Sequence, residues 1–358
     1  RQNQMHQLCS CTQAELPAVR RTAGALGINL LAHVMCAQIT SNERLLLTTP
    51  LPHSAGFFLQ AAMLQGATTW IEPKFDPVRL LQLVERNSIS WTFLVPTQIY
   101  RLLSQLQNKK TRTESIRTIV YGAAPILKSR IELAIDCFGP VFLQLYGQSE
   151  CPNFVTMLSK DDHSNEALLT SCGQACPTAD VRIANAGGEE LAIGEVGELQ
   201  VRSSYTMQEY YTETELTEAA FDGDWLRTGD VEYQNESGHI FIVDRTKDLI
   251  ISGGMNVYSK EVEEVLVSHP NIHAAAVIGV PDADWGEAVH AFIVVDEAPD
   301  PADVKTYCDS KLGKYKTPKS FCAIESLPTT PYGKIDKKAL RVLFGEKHQT
   351  KNSTGMTI

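Results

Sequence analysis

Between about residue 20 and Gly147 the chain alternates short apolar runs with longer amphipathic ones, and this alternation limits the folds open to it. The runs Leu45–Pro50, Ala67–Glu72, Trp91–Val95, Thr118–Tyr121 and Val141–Leu145 are rich in apolar and β-branched residues. Between them, residues 77–87, 97–107 and 126–137 carry apolar side chains three and four positions apart, the spacing of one helix face. A near-continuous apolar strand has no face to offer to water, so both faces must be covered. The pattern predicts an α/β fold with a mostly parallel sheet flanked by helices. Ligands bind such sheets at the carboxyl ends of the strands. Three segments fall there: Pro50-Leu-Pro-His-Ser-Ala-Gly56, Tyr121-Gly-Ala-Ala-Pro125 and Leu145-Tyr-Gly-Gln-Ser-Glu-Cys-Pro152. The small residues of the second let backbone come close to a flat ligand.

From about Gly173 to Val243 the texture changes. Val181–Ile183, Glu198–Arg202, Leu226–Thr228 and His239–Val243 are short strands between glycine-rich turns, which predicts a small antiparallel β-unit. Beyond Lys247 comes an α+β module. It holds a helix at 260–268, strands Ala274–Val280 and Ala291–Asp296, a helix at about 301–312, a strand Phe321–Ile324, and a short basic helix with Lys337 and Lys338 ending near Phe344. The domains expected are a large one over 1–244, including the β-unit at about 173–243, a small cap over 245–344, and a polar frayed tail over 345–358.

A net charge of −10 argues against nucleic acid as the main partner, because phosphate backbones are gripped by excess Lys and Arg. The nine cysteines lack paired metal spacing: Cys9 and Cys11 are one residue apart, and Cys172 and Cys176 have no nearby ligands. Thiols in a reducing cytoplasm are the reading that follows. No apolar run reaches the length of a membrane span, so no transmembrane segment is expected. Arg1-Gln-Asn-Gln-Met-His lacks the apolar core of a signal peptide.

The stretch from Leu226 to Glu264 carries the densest chemistry. Two β-type runs, Ile240–Val243 and Leu249–Ile251, flank the charged cluster Asp244-Arg-Thr-Lys-Asp248, and Gly253 and Gly254 end the second run. A helix follows, with Ser259 as its expected N-cap and acids Glu261, Glu263 and Glu264 early. Taken alone, the cluster is equally a solvated connection between strands.

Its company gives a resemblance. Pro50-Leu-Pro-His53, Gly122-Ala-Ala-Pro125, Tyr146-Gly-Gln-Ser-Glu150, Gly197-Glu-Leu, Trp225-Leu-Arg-Thr-Gly-Asp230, Asp244-Arg-Thr-Lys-Asp248, Ser252-Gly-Gly-Met-Asn256 and Pro331-Tyr-Gly-Lys334 occur in one order along the chain. Together they resemble the adenylate-forming superfamily: acyl-CoA synthetases, 4-coumarate-CoA ligases, luciferases and peptide-synthetase adenylation domains. The resemblance implies ATP-dependent activation of a fatty or aromatic carboxylic acid to acyl-AMP, then transfer to coenzyme A. A carboxylate oxygen must attack the α-phosphorus, so two anions meet, and Lys334 is implied as the bridging cation. Glu150 is implied as the Mg²⁺ ligand, a hard oxygen for a hard ion. Asp230 would accept the ribose hydroxyls with Arg245 beside it. Gly122, Ala123, Ala124, Pro125 and Tyr146 would enclose the adenine, with Gln144, Gly147, Gln148 and Ser149 around the nucleotide. His53 would line the acyl pocket. A mobile cap implies a hinge at Lys247, and Gly253 and Gly254 would line the passage for the thiol's pantetheine arm.

Two features depart from the family pattern. Little chain precedes the place of the phosphate-binding loop, where the family carries a long N-terminal part. The loop's place is held by Leu8-Cys-Ser-Cys-Thr-Gln-Ala-Glu-Leu-Pro-Ala-Val19, which keeps Pro17 but has no lysine and no glycine before Gly24. Glycines let successive N–H groups curl around phosphate, and Glu15 would repel it. The competing readings are a coenzyme A ligase, a stand-alone adenylation domain loading a carrier protein, and a truncated non-catalytic homologue. A homo-oligomer stays open. Phe57, Phe58 and Phe154, read as pocket walls, lean towards an aromatic or medium-chain acid.

Overall fold

The computed structural model describes residues 4–8, 18–106, 112–296, 300–329 and 335–353. The chain forms two compact units, one of Arg1–Thr228 with Glu232–Ile242 and one of Gly229–Val231 with Val243–Ile358.

The larger unit is built on a seven-stranded sheet in the order Thr68–Ile71, Arg44–Leu47, Trp91–Leu94, Thr118–Gly122, Phe142–Gln148, Cys151–Leu158, Gln174–Ala175. The first five strands run parallel, and the last two join antiparallel. Alternate side chains feed opposite layers, as strand geometry requires. Leu45, Leu47, Trp91 and Phe93 enter one core, whereas Leu46, Leu94, Ile119 and Tyr121 enter the other, against Leu80, Val84, Leu102 and Ile131. The helix Pro77–Asn87 shows how local chemistry sets an element. Asp76 accepts the Arg79 N–H at its start, Pro77 fills the first turn, and Ser88 in the left-handed region ends it.

Two helices of this unit escape a reading by periodicity. Ala23–Cys36 starts on Thr22, whose hydroxyl accepts the Ala25 N–H at 3.0 Å. It buries Asn29 and His33 while exposing Ile28, Leu31 and Met35, which inverts the usual pattern. Gly56–Gln65 is apolar on all sides, with Phe57 and Phe58 inside and Met63 and Leu64 outside. The expected β-unit is a five-stranded sheet with antiparallel pairing: Ala179–Ala184 on Gly197–Ser203, then Trp225–Gln234, which also takes Phe221–Asp222 and Ile240–Arg245.

The smaller unit carries strands Ile250–Ser252, Met255–Val257, Ala274–Asp282, Gly286–Val294 and Ser320–Ala323, with helices Ser259–Val267, Pro301–Lys311 and Lys337–Ser353. Val277 and Val289 face a core with Val262, Leu266 and Val304; Ile278 and Phe292 face another with Leu340. Two expectations are corrected. The last helix continues to Ser353 instead of ending near Phe344. Ser259 is not an N-cap; Tyr258 holds that position, and Ser259 is the first helical residue, its N–H and hydroxyl both given to the Asp244 carboxylate. No helix among the described residues is long and apolar enough to cross a membrane.

Candidate active site

In the larger unit the parallel strands deliver three segments to one edge of the sheet. The first is the turn Leu51–Ala55, in which His53 leaves helical geometry at φ −109° and ψ −152° and is half-buried. It closes tightly, because a Cβ on Gly56 would stand 2.2 Å from the Leu51 carbonyl oxygen. Phe57, Phe58 and Phe154 are core residues: Phe58 packs on Trp91 and Phe93, and His33 lies against all three phenyl rings. Their rings pack around His33 beneath the turn.

The second segment is Gly122–Pro125. A Cβ on Gly122 would meet the Leu145 carbonyl oxygen at 2.4 Å, so the missing side chain serves strand–strand packing rather than a ligand. Ala123 is exposed and adopts φ +66°, unusual for a residue with a Cβ, while Ala124 is half-buried and Pro125 exposed. Gln144 pairs in register with Tyr121 and is buried, its Oε1 without a partner. The Tyr121 hydroxyl meets Nε2 of His163 at 3.0 Å.

The third segment follows a bulge between Tyr146 and Gln148. Tyr146, Gly147, Gln148 and Ser149 are half-buried, and a Cβ on Gly147 would lie 2.5 Å from the Asn153 nitrogen. Glu150 is buried, and its Oε1 accepts the Tyr210 hydroxyl at 2.7 Å. A buried carboxylate suits a hard cation that brings its own phosphate and water ligands. Among the described residues no group of three or more His, Cys, Asp or Glu side chains could hold a metal by itself.

The smaller unit carries the remaining candidates. Asp230 follows Gly229, which turns the chain at φ +71°, and its Oδ1 lies 3.1 Å from Nε of Arg245. Lys247 is exposed in the single turn Thr246–Asp248, which is closed by the Leu249 N–H on the Arg245 carbonyl at 3.0 Å. Gly253 and Gly254, at φ +60° and +77°, form the two-residue turn between Ile250–Ser252 and Met255–Val257. A Cβ on Gly253 would strike the Trp285 ring at 2.6 Å, whereas one on Gly254 would meet nothing within 4 Å. Lys334 lies outside the described residues, but its flanks are held together: Thr329 bridges Ile335, and the Asp336 N–H reaches the Pro328 carbonyl at 2.9 Å. Of the degenerate loop, residues 9–17 also lie outside; Leu8 and Ala18 pair at the ends of two antiparallel strands.

Four residues to which the sequence reading gave no role support these segments. Tyr210 holds Glu150. Asn153 and His33 lie beneath the Tyr146–Glu150 turn, as described below. Lys337 donates to Ser259 and pairs with Glu263 at 2.8 Å. Only Asn153 left a local trace, since Asn tolerates the left-handed φ of +66° found there.

A model of the AMP-binding enzyme family matches residues 18–211, and one of the AMP-binding enzyme C-terminal domain matches residues 261–334. The chain belongs to the AMP-binding enzyme family. A medium/long-chain fatty acid–CoA ligase, FadD8 of Mycobacterium tuberculosis, is 38% identical over 315 residues, covering 86% of this chain but 55% of the relative. This AMP-binding family member thus spans little more than half the length of that curated relative. The amide bond synthetase McbA from Marinactinospora thermotolerans superposes with a TM-score of 0.87 at 36% identity, over 93% of this chain and 68% of that one. The o-succinylbenzoate-CoA synthetase MenE of Bacillus subtilis, in complex with its acyl-adenylate, gives a TM-score of 0.85 at 30% identity, over 94% and 68%. Its α/β architecture is therefore that of solved AMP-binding enzymes.

Proposed function

We propose that this chain carries the machinery of an AMP-forming acid–thiol ligase. A carboxylate oxygen attacks the α-phosphorus of ATP and pyrophosphate leaves; the thiol of coenzyme A then attacks the acyl carbon and AMP leaves, with the thiol proton passing to solvent. The observation that carries this reading is the buried Asp230 carboxylate held by Arg245. An acceptor-only group fixed by a planar cation suits the vicinal hydroxyls of a ribose. Support also comes from relatives named as CoA ligases and from the MenE complex with ATP and magnesium ion.

Each residue then has a task. Glu150, oriented by Tyr210, would hold Mg²⁺, which supplies charge neutralisation to the phosphates. Gly122–Pro125, Gln144 and Tyr146–Ser149 would border the nucleotide, and His53 the reacting carboxylate. Lys334 would bring its ammonium to the two meeting anions, Lys247 would absorb the torsion change between half-reactions, and the Gly253–Gly254 turn would border the thiol's path. The described cysteines are free thiols, which supports assignment to the cytoplasm.

Pyrophosphate exchange over a panel of fatty and aromatic acids, followed by trapping with coenzyme A, a carrier protein or an amine, tests the reading. Acid-dependent exchange with thioester formation from coenzyme A is the expected result. Exchange with transfer only to a carrier would make this a loading domain, and AMP binding without exchange would make it a non-catalytic homologue.

A further inference from the structure

Behind the turn that carries His53 runs a line of hydrogen bonds whose direction the structure fixes. His33 is wholly buried, and its Nδ1 lies 2.7 Å from the Asn29 carbonyl oxygen. A carbonyl only accepts, so Nδ1 carries the proton. Burial pushes the ring's pKa down to about 4, which keeps it neutral and leaves Nε2 as an acceptor. Nε2 is met at 2.7 Å by Nδ2 of Asn153. This sets the Asn153 amide, whose Oδ1 then accepts the Ser54 hydroxyl at 2.8 Å. A parallel tie runs from Asn29 Nδ2 to the Pro152 carbonyl at 2.9 Å.

The ends of this line matter more than its middle. Ser54 follows His53 directly, in a turn that already leaves regular geometry. Asn153, in the left-handed region, has its backbone pressed against Gly147, inside the segment that ends at Glu150. The Ser54–Asn153 bond therefore joins two sheet-edge segments 99 residues apart in the chain. His33 stacks on Phe57 at 5.2 Å and makes edge contacts with Phe58 and Phe154, so the ring is packed on several sides.

We propose that Asn153 is a positioning residue that, oriented by His33 and acting through Ser54, sets the distance between the His53 turn and the Tyr146–Glu150 segment, and so shapes the seat of the acyl group. The inference rests on the ligase reading and deepens it. Ser54→Ala removes one hydroxyl on the turn, and Ser54→Thr restores it. Asn153→Asp keeps the acceptor for Ser54 but replaces the donor to His33 with an oxygen that faces its lone pair.

The test is calorimetric binding of AMP and of two non-hydrolysable probes, octanoyl- and benzoyl-sulfamoyl-adenosine. The ratio of probe to AMP affinity reads the acyl seat alone. A single hydrogen bond predicts a drop of about tenfold in that ratio for Ser54→Ala and for Asn153→Asp, with AMP affinity unchanged and Ser54→Thr restored. Thermal unfolding of each variant separates lost fold from lost fit. An unchanged ratio in Ser54→Ala, an equal loss of AMP affinity, or no probe preference in the unaltered chain overturns the inference while leaving the ligase reading standing. An unaltered chain that binds no nucleotide at all removes both.

Discussion

Nε of Arg245 lies 3.1 Å from Oδ1 of Asp230, the guanidinium side chain 47% exposed and the carboxylate side chain 7%. The buried partner is the one whose chemistry is fixed, since a carboxylate can only accept. Asp230→Asn introduces donors where hydroxyls are expected to donate. It should lower kcat/KM for ATP by roughly 10–100-fold and leave the KM of the acid unchanged, as read by pyrophosphate exchange. Equal loss for both substrates would remove the ribose assignment.

Glu263 and Lys337 form a part-buried pair inside the smaller unit, their side chains 18% and 16% exposed. Burial raises the Glu263 pKa first of all, with the Lys337 charge opposing, and the carboxylate also accepts the Val277 N–H at 2.9 Å. Lys337→Met leaves that carboxylate without its cation and should cost about 3 kcal/mol in urea unfolding. Adding Glu263→Gln should recover most of the loss.

His33 links stability to pH. Its folded pKa of about 4 lies below the ordinary 6.5, so between those values the unfolded chain binds the extra proton and stability falls on acidification. The full shift corresponds to about 3 kcal/mol, lost progressively from near pH 6.5 down to near pH 4. Stability measured at pH 7 and pH 5 should show the slope in the unaltered chain and a shallower one in His33→Gln.

The two half-reactions should separate by mutation. Lys334→Ala should abolish adenylate formation. Gly254→Leu has room around the Cβ but a φ of +77°, so it should spare adenylate formation and block thioester formation. Exchange and trapping assays on the same preparations give both rates; parallel loss of the two steps in both variants would end the two-stage account.

The strands Trp91–Leu94 and Thr118–Gly122 are readable in the sequence because they are buried on both faces, and Pro77–Asn87 because Asp76 and Pro77 announce its start. Ala23–Cys36 is not readable, since its buried face holds Asn29 and His33, whose side chains are compensated in part by partners on a distant strand. The short motifs could be found as local strings. Their supports could not: Tyr210 is 60 residues from Glu150, and Lys337 is 78 from Ser259. Residue type also failed to say which way a ring faces: Phe57, Phe58 and Phe154 all pack around His33.

Trp285 closes one side of the Gly253–Gly254 hairpin, its ring filling the space a Gly253 side chain would need and the Lys319 ammonium standing 3.5 Å over the ring centroid. An indole in that position is a built-in optical gauge. A neighbouring cation and a backbone turn both tune its emission, so a molecule that threads past the hairpin should shift Trp285 fluorescence against a background from Trp70, Trp91 and Trp225, the three indoles of the other unit.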